Sequence, residues 1–176
     1  MLTTSDATTT ARPSTRRATA LSLDDLLDLD HAALVELYEA ATLPELAAIR
    51  GDLRGRMLAS PALPAWLYAL PAAWARTRSF PWRGKSFAPR GADAGSGDNR
   101  VVSEQLHLFR FDTRVGPSRH DGKPVIDLDY DHAGNPFFIR AIEDEIREVR
   151  PGLYLGQAWL RAAGKKTFVL WFALST

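Results

Sequence analysis

The feature of the sequence that most constrains its fold is the alternation of apolar and polar residues in the second half of the chain. Over residues 105–115, one set of alternate positions includes Phe109 and Phe111, and the other set carries charged side chains. Residues 125–131 alternate in the same way. Because successive side chains of a β-strand point to opposite faces, this period predicts strands with one buried face.

Turn signals between the alternating segments predict antiparallel hairpins. Asp121-Gly122 is a strong hairpin signal, and a two-residue turn there would place Arg114 opposite Asp129. The stretch TFVLWFAL at residues 167–174 is apolar on both faces, as expected of a strand that is covered on both sides. The pattern indicates about seven strands. The predicted fold class is mainly β (α+β), with N-terminal helices and an antiparallel sheet that is strongly curved or closed.

The predicted domain organisation is a disordered tail followed by a single domain. Residues 1–20 are rich in Thr, Ser and Arg and have almost no large apolar side chain, so they cannot offset the entropy lost on ordering. Residues 21–176 form the domain, with helices over about 23–78 and the barrel over about 80–175. Within the first part, residues 52–58 alternate as a strand would.

Two segments need separate interpretation. Residues 91–97 (GADAGSG) match neither a phosphate-binding loop nor a dinucleotide fingerprint, and we expect a flexible loop there that could cover the barrel mouth. Residues 138–149 fit either a helix face or a strand that enters a hairpin. For these residues we expect a short helix near 136–140 followed by a strand.

Composition excludes several classes of protein. The chain has no cysteine, which excludes disulfides, thiolate nucleophiles and cysteine-based metal sites. The net charge of +1 argues against a dedicated nucleic-acid binder, and no apolar run is long enough for a membrane span. The four histidines have no metal-ligand spacing, so no metal is expected. Since residues 91–97 match no nucleotide-binding motif either, no other cofactor is expected. Arg16-Arg17 is followed by no export-type apolar stretch, so the expected location is cytoplasmic.

A short motif gives a family resemblance. The stretch WRGKSF at residues 82–87 resembles the W-x-G-K-x-F core of small bacterial lipocalin-like β-barrel proteins of the GXWXG type, with Phe80 at the place of their first glycine. DGKPVIDLDYD and GLYLGQAWL resemble a hairpin and a late strand of the same barrels. The resemblance covers about residues 80–174. It implies a lipocalin-like barrel that holds a small apolar molecule.

The candidate ligand-binding residues are aromatic and polar side chains of the predicted strands. They are Trp82, Lys85, His107, Phe109, Phe111, Tyr130, Trp159 and Trp171. The charged side chains of the opposite face, Arg114 and Asp129 among them, are expected to point outward as cross-strand ion pairs. If the protein catalyses a reaction, the candidate acid–base residues are His107, Tyr130 and an inward-pointing Asp127.

Three functions follow from these observations. The first is binding of a small apolar or amphipathic molecule inside the barrel. The alternative is a cofactor-independent isomerase, cyclase or hydratase that acts on a small metabolite in the same cavity. The third is an interaction module in which the acidic segment at residues 23–50 docks a partner. The sequence also leaves open whether the protein forms a homodimer.

Overall fold

The computed structural model describes residues 21–58 and 82–176, and its main element is a closed β-barrel. Eight antiparallel strands follow one another in chain order around the barrel, and the last strand pairs with the first. The strands are β1 (Gly51–Met57), β2 (Trp82–Pro89), β3 (Ala94–Val101), β4 (His107–Pro117), β5 (Pro124–Asp129), β6 (Ile142–Arg150), β7 (Leu153–Ala162) and β8 (Lys165–Ser175). The predicted fold class is therefore confirmed. The predicted tail and residues 59–81, which include the last part of the predicted helical region, lie outside the described residues.

Short helices precede the barrel, as the sequence predicts. Two 3-10 segments, Asp25–Asp28 and Leu46–Ala48, flank the α-helix α1 (His31–Ala40). The Asp30 side chain caps α1 by accepting a hydrogen bond from the backbone N–H of Ala33 (2.9 Å). None of the described helices has the length and apolar character that a membrane crossing requires.

Both faces of the sheet are used for packing. On the outer face, Leu34 and Tyr38 of α1 are buried against Trp171 and its neighbours. Inside the barrel, one end is filled by an apolar core, to which Leu46 of the second 3-10 segment and Ile49 also belong. Burial on both faces explains why β8 is apolar without interruption over residues 168–174.

The hairpin of β4 and β5 forms, but its register differs from the prediction. Arg114 lies opposite Asp127, and Asp129 lies opposite Asp112. The reason is the position of the turn, which spans residues 119–122 and is centred one residue earlier than Asp121-Gly122: Ser118 N–H donates to Lys123 O (2.8 Å). Arg114 still bonds both carboxylates, at 2.6 Å to Asp127 and 3.2 Å to Asp129. The charged face points outward, as expected.

The expected loop at residues 91–97 is wrong in its second half, because β3 begins at Ala94. This strand raises the number from the expected seven to eight. Its glycines have a packing reason: a Cβ at Gly97 would lie 2.5 Å from Cζ of Phe111 and would collide with the carbonyl oxygen of Ser86. Glycine at this position lets the Phe111 ring pack directly against the backbone of β3.

The ambiguous region resolves into a single helical turn and a strand. Arg140 N–H donates to Pro136 O (3.1 Å). This bond closes a single helical turn, and no further helical turn follows it. β6 then begins at Ile142. The expected strand is confirmed, and the expected short helix is reduced to this turn.

Candidate functional site

A cavity of about 340 Å³ occupies the part of the barrel interior that the apolar core leaves unfilled. Most of its wall is aliphatic or aromatic. The lining residues are Met57, Trp82, Lys85, Asn99, Val101, Phe109, Tyr130, Ile139, Ile142, Asp144, Ala158, Leu170 and Phe172. A concave, mostly apolar space with a few polar groups is the usual form of a small-molecule site.

Four buried polar residues, Lys85, Asn99, Tyr130 and Asp144, form the polar cluster of this cavity. The Lys85 ammonium donates to Asn99 Oδ1 and to Asp144 Oδ2, each at 2.9 Å, and also to the Tyr130 hydroxyl. Tyr130 in turn donates to Asp144 Oδ2 (2.9 Å), and Asn99 Nδ2 donates to the Tyr130 hydroxyl (3.0 Å). The cluster thus centres on a buried Lys85–Asp144 ion pair.

A backbone irregularity brings Trp82 and Lys85 to the same side of β2. Three positions apart, they would lie on opposite faces of a regular strand. The register of β2 against β3 shifts between Trp82 and Gly84, and Gly84 has a φ of +133°. A Cβ at Gly84 would collide with the carbonyl oxygen of Leu53. The glycine of the motif therefore places both side chains in the cavity wall.

Aromatic rings stabilise the buried ammonium of Lys85. Its Nζ lies 5.0–5.5 Å from the ring centroids of Trp82, Phe111, Tyr130 and Phe172. These distances are within the range of cation–π attraction. Burial lowers the pKa of Lys85, and the neighbouring carboxylate of Asp144 acts against that shift. Burial raises the pKa of Tyr130 well above its ordinary value, and the charge of Asp144 adds to that effect.

Nearly every hydrogen-bonding position of the polar cluster already has a protein partner. The three N–H donors of Lys85 are engaged, and so is the phenolic proton of Tyr130. Asn99 uses its amide N–H groups for the Tyr130 hydroxyl and for Phe109 O, and its Oδ1 accepts from Trp82 Nε1 (2.9 Å) as well as from Lys85. One cluster atom is left: Asp144 Oδ1 is buried and has no hydrogen-bond partner among the described residues.

The structure brings several of the candidate ligand-binding residues together. Trp82, Lys85, Phe109 and Tyr130 line the cavity. Phe111 lies next to it, fully buried in the apolar core, with its ring centroid 5.3 Å from that of Tyr130.

Three other candidates lie elsewhere, and their expected inward position is corrected. His107 is exposed, because the register of β3 and β4 shifts opposite Gly97–Asn99 and Phe109 takes a left-handed backbone (φ +57°). Trp159 and Trp171 lie on the outer face of β7 and β8 around a separate pocket of about 180 Å³, where Trp171 Nε1 donates to His31 Nδ1 (2.9 Å).

Asp127, the third acid–base candidate, is buried on the outer face and not in the cavity. It pairs with Arg114 (2.6 Å) and with Arg119 (2.8 Å). Arg119 also contacts the carboxylates of Glu143 (2.5 Å) and Glu145 (3.1 Å). Asp127 therefore belongs to an ion-pair network that links the hairpin turn to the outer face of β6.

Two site residues, Asn99 and Asp144, were missed by sequence reasoning. Asn99 follows the glycine-rich stretch that looked like a loop. Asp144 lies between Ile142 and Ile146, and alternation along β6 puts all three side chains on the inward face. An acidic residue between two inward isoleucines is the signal that could have identified it.

A comparison with solved structures supports the fold, and two other comparisons found no match. No protein-family model matches the chain, and no curated protein matches it. A solved structure, described as a protein from Thermomonospora curvata, superposes with a TM-score of 0.50 at 19% identity. The match covers 84% of this chain and 87% of that one. At this identity it supports the barrel fold alone.

Proposed function

We propose that the protein binds one small, mostly apolar molecule in the barrel cavity. The observation that carries the proposal is the cavity itself, about 340 Å³ lined mostly by aliphatic and aromatic side chains, with one polar cluster in its wall. A space of this size is at the lower end of the range for small-molecule sites. This volume suits a molecule with one ring or with two fused rings.

The arrangement of the polar cluster supports binding in preference to a purely structural role. Burial of an ion pair costs desolvation energy that apolar side chains of similar volume would not incur. Lys85 and Asp144 nonetheless lie in the cavity wall. Polar groups in the wall of an apolar cavity orient a ligand, which is what specificity requires.

The motif that resembles lipocalin-like barrels of the GXWXG type takes part in the same site. Trp82 and Lys85 line the cavity, and Gly84 provides the backbone irregularity between them. This supports the proposal that the chain is a lipocalin-like binding barrel. A cytoplasmic location remains part of the same proposal.

A binding experiment tests the proposed function. 2-Methoxynaphthalene, a neutral two-ring probe, should bind the native protein with one-to-one stoichiometry in isothermal titration calorimetry. Ala158 lines the cavity, so Ala158→Phe should fill it and weaken binding at least about tenfold. Ala88→Phe is the matched control, because Ala88 is exposed on β2. Absence of binding, or equal binding by both variants, would contradict a site inside the barrel.

The second candidate function is the cofactor-independent isomerase, cyclase or hydratase. The observation in its favour is Asp144, a carboxylate of the cavity wall whose Oδ1 has no hydrogen-bond partner among the described residues. Stabilisation of an oxyanion would need a donor directed into the cavity. The donors of Lys85 and Tyr130 are already engaged with one another and with Asp144. For this reason we favour binding over catalysis.

Proton exchange separates the two functions. 2-Tetralone has acidic C–H protons next to its carbonyl group, so a base in the cavity would exchange them for deuterium in D₂O. A binding protein should leave the exchange rate, followed by proton NMR, at the buffer value. A clear acceleration that Asp144→Asn abolishes would establish the enzyme instead.

A further inference from the structure

The end of the barrel that holds the cavity exposes several large apolar side chains. In the loop between β5 and β6, Phe137 and Phe138 are 85% and 56% exposed, and their rings pack edge to face with centroids 5.5 Å apart. The loop between β3 and β4 exposes Val102 and Leu106 at the same end. Phenylalanine is usually buried, and a group of exposed apolar side chains marks a contact surface.

The loop with the two phenylalanines lies beside the cavity. Ile139 and Ile142 line the cavity, whereas Phe137 and Arg140 line a pocket on the outer surface. The loop therefore presents one set of side chains to the cavity and another to the solvent. The opposite end of the barrel is filled by the apolar core, so a ligand enters on the side of this loop.

Exposed basic side chains surround the two phenylalanines. They are Arg140 and Arg161, which line the outer pocket with Phe137, and Lys165 and Lys166 of the β7–β8 hairpin. Two acidic side chains lie beside them. Asp131 pairs with both arginines, and Glu143 pairs with Arg161 and Lys166. Four positive and two negative groups leave a net charge of +2. The four basic residues, Phe137 and Phe138 together form the mouth surface.

The acidic part of the protein lies elsewhere. Residues 23–50 contain seven acidic side chains, and Arg50 is their single basic one. Within this segment, α1 packs on the outer face of the sheet, and Leu46 and Ile49 belong to the core at the opposite end of the barrel. A positive mouth surface and a negative N-terminal segment favour one orientation of the molecule towards an anionic surface.

We infer that the mouth surface docks on an anionic lipid bilayer. Phe137 and Phe138 enter the lipid, and the four basic side chains lie at the level of the lipid phosphates. The inference goes beyond the proposed function, because it names the phase with which the barrel exchanges its ligand. A small apolar molecule partitions from water into lipid, and docking in this orientation turns the ligand's entrance towards it.

A second copy of the chain fits the mouth surface less well than a bilayer does. At about 200 Å² for a fully exposed phenylalanine, Phe137 and Phe138 leave about 280 Å² of apolar surface in water. A stable protein interface buries about 800 Å² on each partner. Two copies that met through this surface would also bring together two sets of positive charges.

Cosedimentation with lipid vesicles tests the inference on the unmodified protein. Vesicles of two parts phosphatidylcholine and one part phosphatidylglycerol should bind it. Pure phosphatidylcholine vesicles should bind at least about tenfold more weakly, because each basic side chain near an anionic membrane strengthens binding about fivefold. A rise in sodium chloride from about 0.1 M to about 1 M should weaken binding to the anionic vesicles, since salt screens these charges.

A double substitution of the phenylalanines tests which surface docks. Phe137→Ser/Phe138→Ser should reduce binding to the anionic vesicles at least about tenfold, because it removes the apolar side chains that enter the lipid. Leu43→Ser/Val115→Ser is the matched control: both residues are exposed apolar side chains outside the mouth surface. This control should bind as the unmodified protein does. All four positions are exposed, and melting curves check that both variants fold.

A charge substitution tests the electrostatic part separately. Lys165→Gln should weaken binding to the anionic vesicles about fivefold and leave binding to pure phosphatidylcholine unchanged. Lys123→Gln is the control, because Lys123 is an exposed lysine in the β4–β5 turn at the opposite end of the barrel. It should leave both affinities unchanged.

The outcomes separate the inference from the proposed function. If the unmodified protein binds neither kind of vesicle, or if the phenylalanine variant binds as well as its control, the inference is overturned. It is also overturned if sedimentation velocity shows a dimer that the phenylalanine variant converts to a monomer, since the mouth surface then binds a second copy. If the vesicles bind as expected and 2-methoxynaphthalene does not, the docking surface stands and the proposed function fails.

Discussion

Removal of the Lys85 side-chain charge should destabilise the fold strongly, although methionine has a similar volume. In Lys85→Met the carboxylate of Asp144 loses its counter-ion and keeps only the hydrogen bond from Tyr130 (2.9 Å). Both Lys85 and Asp144 are almost completely buried, at 3% and 4% exposure. Removal of one partner of such a pair typically costs about 3–5 kcal/mol. The free energy of unfolding should fall by that amount.

The double variant Lys85→Met/Asp144→Leu should recover most of the loss, since it removes both buried charges together. Asn99 and Tyr130 remain bonded to each other in it. Urea unfolding, followed by tryptophan fluorescence, gives the free energy of unfolding of the unmodified protein, the single variant and the double variant. Equal m-values would show that the same surface is exposed on unfolding in all three. Lys123→Met is the control: Lys123 is exposed, 3.6 Å from Asp121, and its loss should cost about 1 kcal/mol or less. If Lys85→Met costs no more than this control, the buried ion pair does not exist as described.

Three further predictions concern other single residues. Gly97→Ala should cost about 3 kcal/mol or more in urea unfolding, because its Cβ would meet Phe111 and the sheet backbone, whereas Gly134→Ala, which has open space, should cost little. The buried Arg147 guanidinium holds the pKa of Asp121 below its ordinary value, so Asp121→Asn should lower stability at neutral pH, with the difference from the unmodified protein shrinking below about pH 4. Burial raises the pKa of Tyr130, so the unmodified protein should lose stability, relative to Tyr130→Phe, as the pH rises above about 10; ultraviolet absorbance shows when the phenol ionises.

Much of the fold could be predicted because alternation and burial agree along most strands. Phe111 and Leu128 alternate with charged residues along their strands. In the structure the apolar residues point inward and the charged residues point outward. The prediction failed where a strand departs from regular geometry. The left-handed backbone at Phe109 removes His107 from the inward face, and β3 was missed because its glycines lack the side chains that mark a strand. Such features depend on the neighbouring strand, which a local pattern does not contain.

The site could be predicted only in part, for a related reason. Trp82 and Lys85 were identified through a motif, and Tyr130 through its place on an inward face. Asp144 belongs to the same cluster, but it comes from a strand whose secondary structure was ambiguous. Trp171 shows the converse error, since an apolar residue of a two-sided strand can face either the cavity or α1. The pairing of distant strands decides between such alternatives.

A crystal structure of the protein with 2-methoxynaphthalene tests the central claim most directly. We expect one molecule in the barrel cavity, its rings in contact with Ile142, Leu170 and Phe172. Binding in the outer pocket beside Trp159 and Trp171, with side chains filling the barrel, would contradict the claim.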